Sequence, residues 1–192
     1  MPDPNSAALE FLLSRRSRPA KTLRTPIPGP EDIQTILTAA ARTPDHGKLE
    51  PWRFLVLERK ALMRLGDLVA VRGDALGLDT DQIEKAKTSF HTAHLAIAVI
   101  ETPKPSEKIP ALEQTYSAGA VCLALLNAAL ASGWGANWLS GWASHDRTFM
   151  TQGLSLAENE RIAGIIHLGT ETSAPPERPR PDVDAITTWV SE

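Results

Sequence analysis

A layered domain of interspersed helices and strands, either mixed α/β or α+β, is the fold class this sequence predicts. Three observations point there. Apolar residues recur at helical spacing in several segments, as at Ile33, Ile36, Leu37 and Ala40. Short branched apolar runs such as HLAIAVI (94–100) and RIAGIIHL (161–168) are bounded by turn-forming residues, as buried strands are. The two kinds of segment alternate along the chain, and helices that must bury a stripe against a sheet give a layered architecture.

Helices are expected at residues 7–14, 31–42, 61–78, 81–90, 110–131 and 146–154, and strands at 52–57, 94–100, 136–142 and 161–168. Leu9, Leu12 and Leu13 share one face of the first helix. Pro44, Gly47 and Pro51 end the second and demand a loop. Gly66, Gly73 and Gly77 interrupt the third. Pro110 opens the long helix, which Gly133 and Gly135 stop. From Ala118 onward that helix is apolar nearly all round, so it needs burial on all sides, which a subunit interface can help provide. Residues 175–181 hold four prolines in seven positions, after which 183–190 regains order. We expect one domain over residues 1–192, with 175–192 as an extension wrapping a partner subunit.

Composition narrows the function. The 192 residues carry a net charge of −3, with no long basic stretch, which excludes a dedicated nucleic-acid or anionic-membrane surface. The one basic cluster, Arg15, Arg16, Arg18, Lys21 and Arg24, suits a small anionic ligand. No secretory signal is visible, and the most apolar run, 118–131, is too short to span a bilayer. A single cysteine, Cys122, excludes an internal disulfide framework and fits a reducing compartment, so a cytoplasmic location is expected. Neither a GxGxxG turn nor a P-loop occurs, and no nucleophile elbow, CxxC or HExxH signals hydrolytic, covalent or metal chemistry. His91 and His94 lack a third ligand, and Cys122 lies among apolar neighbours. No metal is expected, and a bound cofactor becomes the better carrier of the chemistry.

Three local patterns remain. Arg15-Arg16-Ser17 offers two guanidiniums and a hydroxyl to a terminal phosphate. Residues 42–52, RTPDHGKLEPW, place Arg42, His46 and Lys48 on one proline-stiffened loop, although an ordinary polar connector has the same composition. Residues 133–142, GWGANWLSGW, let a flat ligand approach the backbone, although a strand with bulky aromatics explains part of that pattern.

In this order the three patterns resemble the nitroreductase family, specifically its short NAD(P)H nitroreductase branch. There RRS precedes R-x-P-D-H with a following P-W, then G-x-x-W-x-S-G after a long helix, then a strand ending like Leu168-Gly169-Thr170. The likeness runs from about Phe11 to Gly169. It implies a central, mainly antiparallel sheet flanked by helices, in an interlocked homodimer whose tail reaches the partner. It also implies FMN as cofactor and NADH or NADPH as transient reductant. Hydride would pass to the flavin and on to a nitroaromatic, quinone or similar small-molecule acceptor by a ping-pong mechanism. Arg15, Arg16 and Ser17 would hold the phosphate and ribityl region. Trp138, Leu139 and Ser140 would contact flavin from the same chain, and Arg42 and His46 from the other. Lys21, Lys48 and Gly141 are secondary candidates, and no side chain of the protein need be catalytic. The branch often carries arginine where this chain has Leu139, so only a backbone contact is expected there. Arg18, Lys21, Arg178 and Arg180 are candidates for the missing charge. The same fold also serves ene reduction, dehalogenation or flavin breakdown, and a non-enzymatic anion-binding module is the reading of another class.

Overall fold

A computed structural model of the chain describes residues 3–192. Its helices are α1 (Ser6–Ser14), α2 (Pro30–Ala40), α3 (Arg59–Ala75), α4 (Thr80–His91), α5 (Ala111–Ala131) and α6 (Arg147–Leu154). The strands are β1 (Leu23–Arg24), β2 (Trp52–Glu58), β3 (Leu95–Glu101), β4 (Gly135–Leu139) and β5 (Arg161–Glu171).

Local chemistry sets the helix starts. Three open on a side-chain oxygen that accepts a first-turn amide: Asn5 from Ala8 N at 3.0 Å, Asp79 from Gln82 N at 2.8 Å and Asp146 from Phe149 N at 2.9 Å. Pro30 occupies the first position of α2, where its missing N–H costs nothing. Pro110 is the cap before α5 rather than part of its first turn. Gly66 and Gly73 lie within α3 because α4 packs there: a Cβ on either would overlap the His91 ring or the Ile83 side chain.

Every strand pairing is antiparallel. β2 pairs β3, β3 pairs one edge of β5, β4 pairs β5 through Gly135↔Gly169 to Leu139↔Ile165, and β1 joins β5 at residues 170 and 171. The eleven-residue β5 therefore touches three other strands. Opposite Val99 and Ile100 its register shifts, so Ile162 and Ile165 both reach the same apolar cluster. That cluster lies between one sheet face and α3, α4 and α6, around Leu62, Leu65, Phe90, Ala96, Ala98 and Phe149. The opposite face packs Ile97, Val99 and Ile166 against Ile36 of α2 and Val121, Leu125 and Ala129 of α5. All seven residues of β3 are buried, which explains its unbroken apolar sequence.

Three expectations are corrected. The strand expected at 136–142 ends at Leu139, because the chain leaves the sheet at Ser140 and Gly141 and coils into a short turn, Trp142–Ser144. Residues 183–190 form no helix or strand, and their Val183, Ile186, Trp189 and Val190 are exposed. On α5, Leu112, Tyr116 and Leu123 project outward from this chain. Finally, the apolar run 118–131 belongs to a 21-residue helix, long and apolar enough by length and composition to cross a membrane, but eight of its residues are buried, with Val121, Cys122, Leu125, Leu126 and Ala129 packed in the cluster of the sheet and α2.

Candidate functional site

Residues 15–18 leave α1 and run along the open edge of β4. The Arg18 amide donates to the Ala136 carbonyl at 2.8 Å, and the Asn137 side-chain amide donates to the Arg18 carbonyl at 2.6 Å. This anchoring draws several cations together. Arg15 Nη2 donates to Ser17 Oγ at 3.0 Å, while its buried Nε has no partner among the described residues. Burial, and after it the nearby Arg180, Arg16 and Arg18 guanidiniums, press the Arg15 pKa below the usual arginine value. Arg18 pairs with Glu171 at 2.8 Å, and Glu177 lies 3.4 Å from Arg16 and 2.9 Å from Arg180. Like charges held this close, with a donor unpaired, make a cradle for an anion. Lys21 lies in the adjacent turn with its carbonyl bonded by Arg24 Nη1 at 2.8 Å.

A cleft of about 320 Å³ opens where β4 ends. Leu139, Ser140 and Gly141 form one wall; Lys85 and Ser89 of α4 face them, with Trp142 and His167 also lining it. Lys85 is the only side chain of fixed charge among the lining residues. Gly141 is open toward space, with nothing within 4 Å of where a Cβ would sit. His167 is buried, and burial pushes its pKa down to about 4, so the ring is neutral at pH 7. Trp138 is placed differently from its neighbours. Its indole lies over Gly164 beside Cys122, on the α5 face of the sheet, so only its backbone is available on the cleft side. Cys122 itself is a packed thiol whose pKa burial raises to about 12.

The third segment is held elsewhere. Arg42 follows α2 and is exposed. His46 Nδ1 lies 2.6 Å from Glu113 in the first turn of α5. The Trp52 indole donates to Ser117 Oγ, which donates to the Pro44 carbonyl, both at 3.1 Å. Asp45 accepts from the Leu49 and Glu50 amides at 2.6 and 3.4 Å. Between these ties Gly47, Lys48 and Glu50 all have positive φ, at 78°, 53° and 47°. For the two non-glycine residues such backbone costs about 1–3 kcal/mol each and persists only where its surroundings impose it.

Within one chain, then, Arg15, Arg16 and Ser17 lie beside β4, while Ser140 and Gly141 follow it into the cleft. No hydrogen bond or ion pair among the described residues joins them to Arg42 or His46. Lys85 and His167 were missed by the motif reading, yet both leave a trace in the sequence. Gln82, Lys85 and Ser89 recur at helical spacing on one face of α4, and His167 is the polar exception in an apolar strand, two residues from Ile165.

A sequence model described as the Nitroreductase family matches residues 12–170. The chain belongs to the nitroreductase family. It is 36% identical over 163 residues to the Escherichia coli (strain K12) protein named "Putative NAD(P)H nitroreductase YdjA", an alignment spanning 85% of this chain and 87% of that one. Among solved structures, a nitroreductase-like family protein from Bacillus cereus superposes with a TM-score of 0.77 at 23% identity, covering both chains fully. A nitroreductase from Bacteroides fragilis, solved with bound FMN, gives a TM-score of 0.74 at 20% identity over 95% of this chain and 98% of that one. These superpositions establish the nitroreductase-like fold, with its antiparallel sheet between helices.

Proposed function

We propose that this nitroreductase family member is an FMN-dependent NAD(P)H oxidoreductase that reduces a nitroaromatic, quinone or similar small acceptor. The observation that carries the reading is the guanidinium cradle of Arg15, Arg16 and Arg18, with its unpartnered Arg15 Nε, on the same strand edge that leads into the cleft. The residues fit the cofactor at both ends. The cradle matches a phosphate dianion, and the cleft, apolar along Leu139, Trp142 and Ile165 with a few polar groups, matches a flat ring system.

FMN supplies a ring that accepts hydride from the nicotinamide and gives it to the acceptor. The protein's part is to bind and orient. Arg16 and Ser17 hold the phosphate and ribityl end, Ser140 and Gly141 present backbone to the ring, and Lys85 places a cation at the far wall, where it favours negative charge. Arg42 and His46, which the same chain holds on a separate loop, serve the site of a second copy. Lys48 sits on that loop and Lys21 beside the cradle. The exposed face of α5 and the tail beyond residue 174 cover the partner, in a homodimer of the cytoplasm. Nicotinamide and acceptor use one cleft in turn, which gives ping-pong kinetics.

The absorption spectrum tests the reading. Purified protein should be yellow, or become so with FMN, and should bleach when NADH or NADPH is added without oxygen. Colourless protein that takes up no FMN would overturn it.

A further inference from the structure

His167 lines the cleft as a buried imidazole. Its register partners are Ala96 on β3 and Asn137 on β4, and Asn137 is engaged with the Arg18 carbonyl. No protein group among the described residues hydrogen-bonds the His167 ring. The elements facing it contribute Gln82, Lys85 and Ser89 from α4 and Ser140 and Ser144 from the turn after β4, so Lys85 supplies the only neighbouring charge in the cleft, and it is positive. A buried imidazole with no carboxylate partner, opposite a cation, has no structural reason to be polar. Packing alone would be served by the aliphatic side chains that fill the rest of β5.

Resting on the flavin reading of this cleft, we infer that His167 is a proton-holding residue: it takes up a proton when the cleft gains negative charge on reduction, and surrenders it to the acceptor. In the resting protein, burial opposes a positive charge on the ring, so it is neutral. A hydride delivered by NAD(P)H brings two electrons and one proton into the cleft and leaves NAD(P)⁺, adding one negative charge. That charge offsets Lys85, and a proton from water then settles on the free ring nitrogen of His167. In the second half-reaction a quinone-type acceptor takes the hydride and this proton, leaves as its dihydro product, and His167 returns to neutral. One proton enters and one leaves per turnover, in balance with the two electrons.

Histidine NMR reads the proton directly. FMN-loaded protein is prepared with ¹³C-labelled histidine, and the His167 Cε1–H signal is assigned by its loss in His167→Gln. If that variant fails to fold, the signal is assigned from its contacts with Ala96 and Asn137. Spectra are recorded from pH 5 to pH 8, oxidised and after anaerobic reduction by NADPH. The expected result is a neutral ring throughout in the oxidised protein and an imidazolium that titrates through the neutral range in the reduced protein. A His167 signal that stays neutral in protein that binds FMN and is bleached by NADPH overturns this inference alone. Failure to take up FMN overturns it together with the proposed function.

Discussion

At Arg15 and Arg16 the balance of charge favours an anionic ligand. Holding guanidiniums this close is unfavourable, and Glu177 offsets only part of it from an exposed position. Charge-assisted bonds are each worth roughly 1.5–3 kcal/mol, so Arg16→Ala should weaken FMN retention by about 10- to 100-fold. Equilibrium dialysis measures this, and an unaltered circular dichroism spectrum shows that the fold is intact. Another residue-scale effect concerns acid. The Arg53 guanidinium holds the Glu160 carboxylate through two bonds, at 2.7 and 2.8 Å, drawing its pKa from 4.5 to about 2. A carboxyl depressed in the folded state contributes stability above its unfolded pKa and loses it as pH falls through the folded one. Stability should therefore decline between about pH 4.5 and pH 2. Urea unfolding of Glu160→Gln should show a shallower decline over that range and lower stability at pH 7. The Arg15–Arg16 cluster was legible in the sequence, whereas the Arg53–Glu160 pair was not. Arg53 and Glu160 are 107 residues apart, and only the pairing of β2, β3 and β5 brings them together.

Elements were far more legible than their junctions. The helical repeat in α2 and the apolar runs of β3 and β5 identified these elements because burial itself dictates the pattern. The end of β4 was not readable: Ser140, Gly141 and Trp142 continue an aromatic strand-like pattern, and the chain leaves the sheet because β5 pairs it only as far as Ile165. That departure creates the cleft, so the site's wall lay where periodicity is silent. The cleft's other wall depends on how closely α4 approaches α3. Gly66→Ala would drive a methyl into the His91 ring, which is bonded to the Met63 carbonyl and Asp67 at 3.2 and 3.0 Å. Overpacking of this kind costs about 1–3 kcal/mol. The variant should melt earlier in calorimetry, and its displaced α4 should loosen FMN as well.

At the scale of the whole molecule, apolar surface is left over. Leu112, Tyr116 and Leu123 share a face of α5, and Ile186, Trp189 and Val190 extend from the tail into solvent. Exposed apolar groups gathered in this way mark an interaction surface. Leu123→Lys should convert the proposed dimer to a monomer in sedimentation, with helix content unchanged, because the side chain makes no part of either core. Truncation after Ser173 should weaken association as well, and with it FMN retention, since it removes Arg180 from the cradle. Periodicity reports that a helix is apolar all round and is silent on whether its own chain or another covers it.

The position of β5 has a consequence for how the chain acquires its structure. β1 and β4 pair only with β5, which follows the other strands in the chain, and β3 pairs it along one edge; the β1 pairing joins residues nearly 150 positions apart, Leu23 with Glu171. Contacts of such sequence separation must wait for long loops to close, which slows folding. During synthesis, only the β2–β3 ladder and the helices are available until residue 161 has left the ribosome. A nascent chain stalled before that point carries an unpaired β4 and the bare inner edge of β3. Its completion is then a single late event, in which one strand closes the sheet and assembles the wall of the cleft.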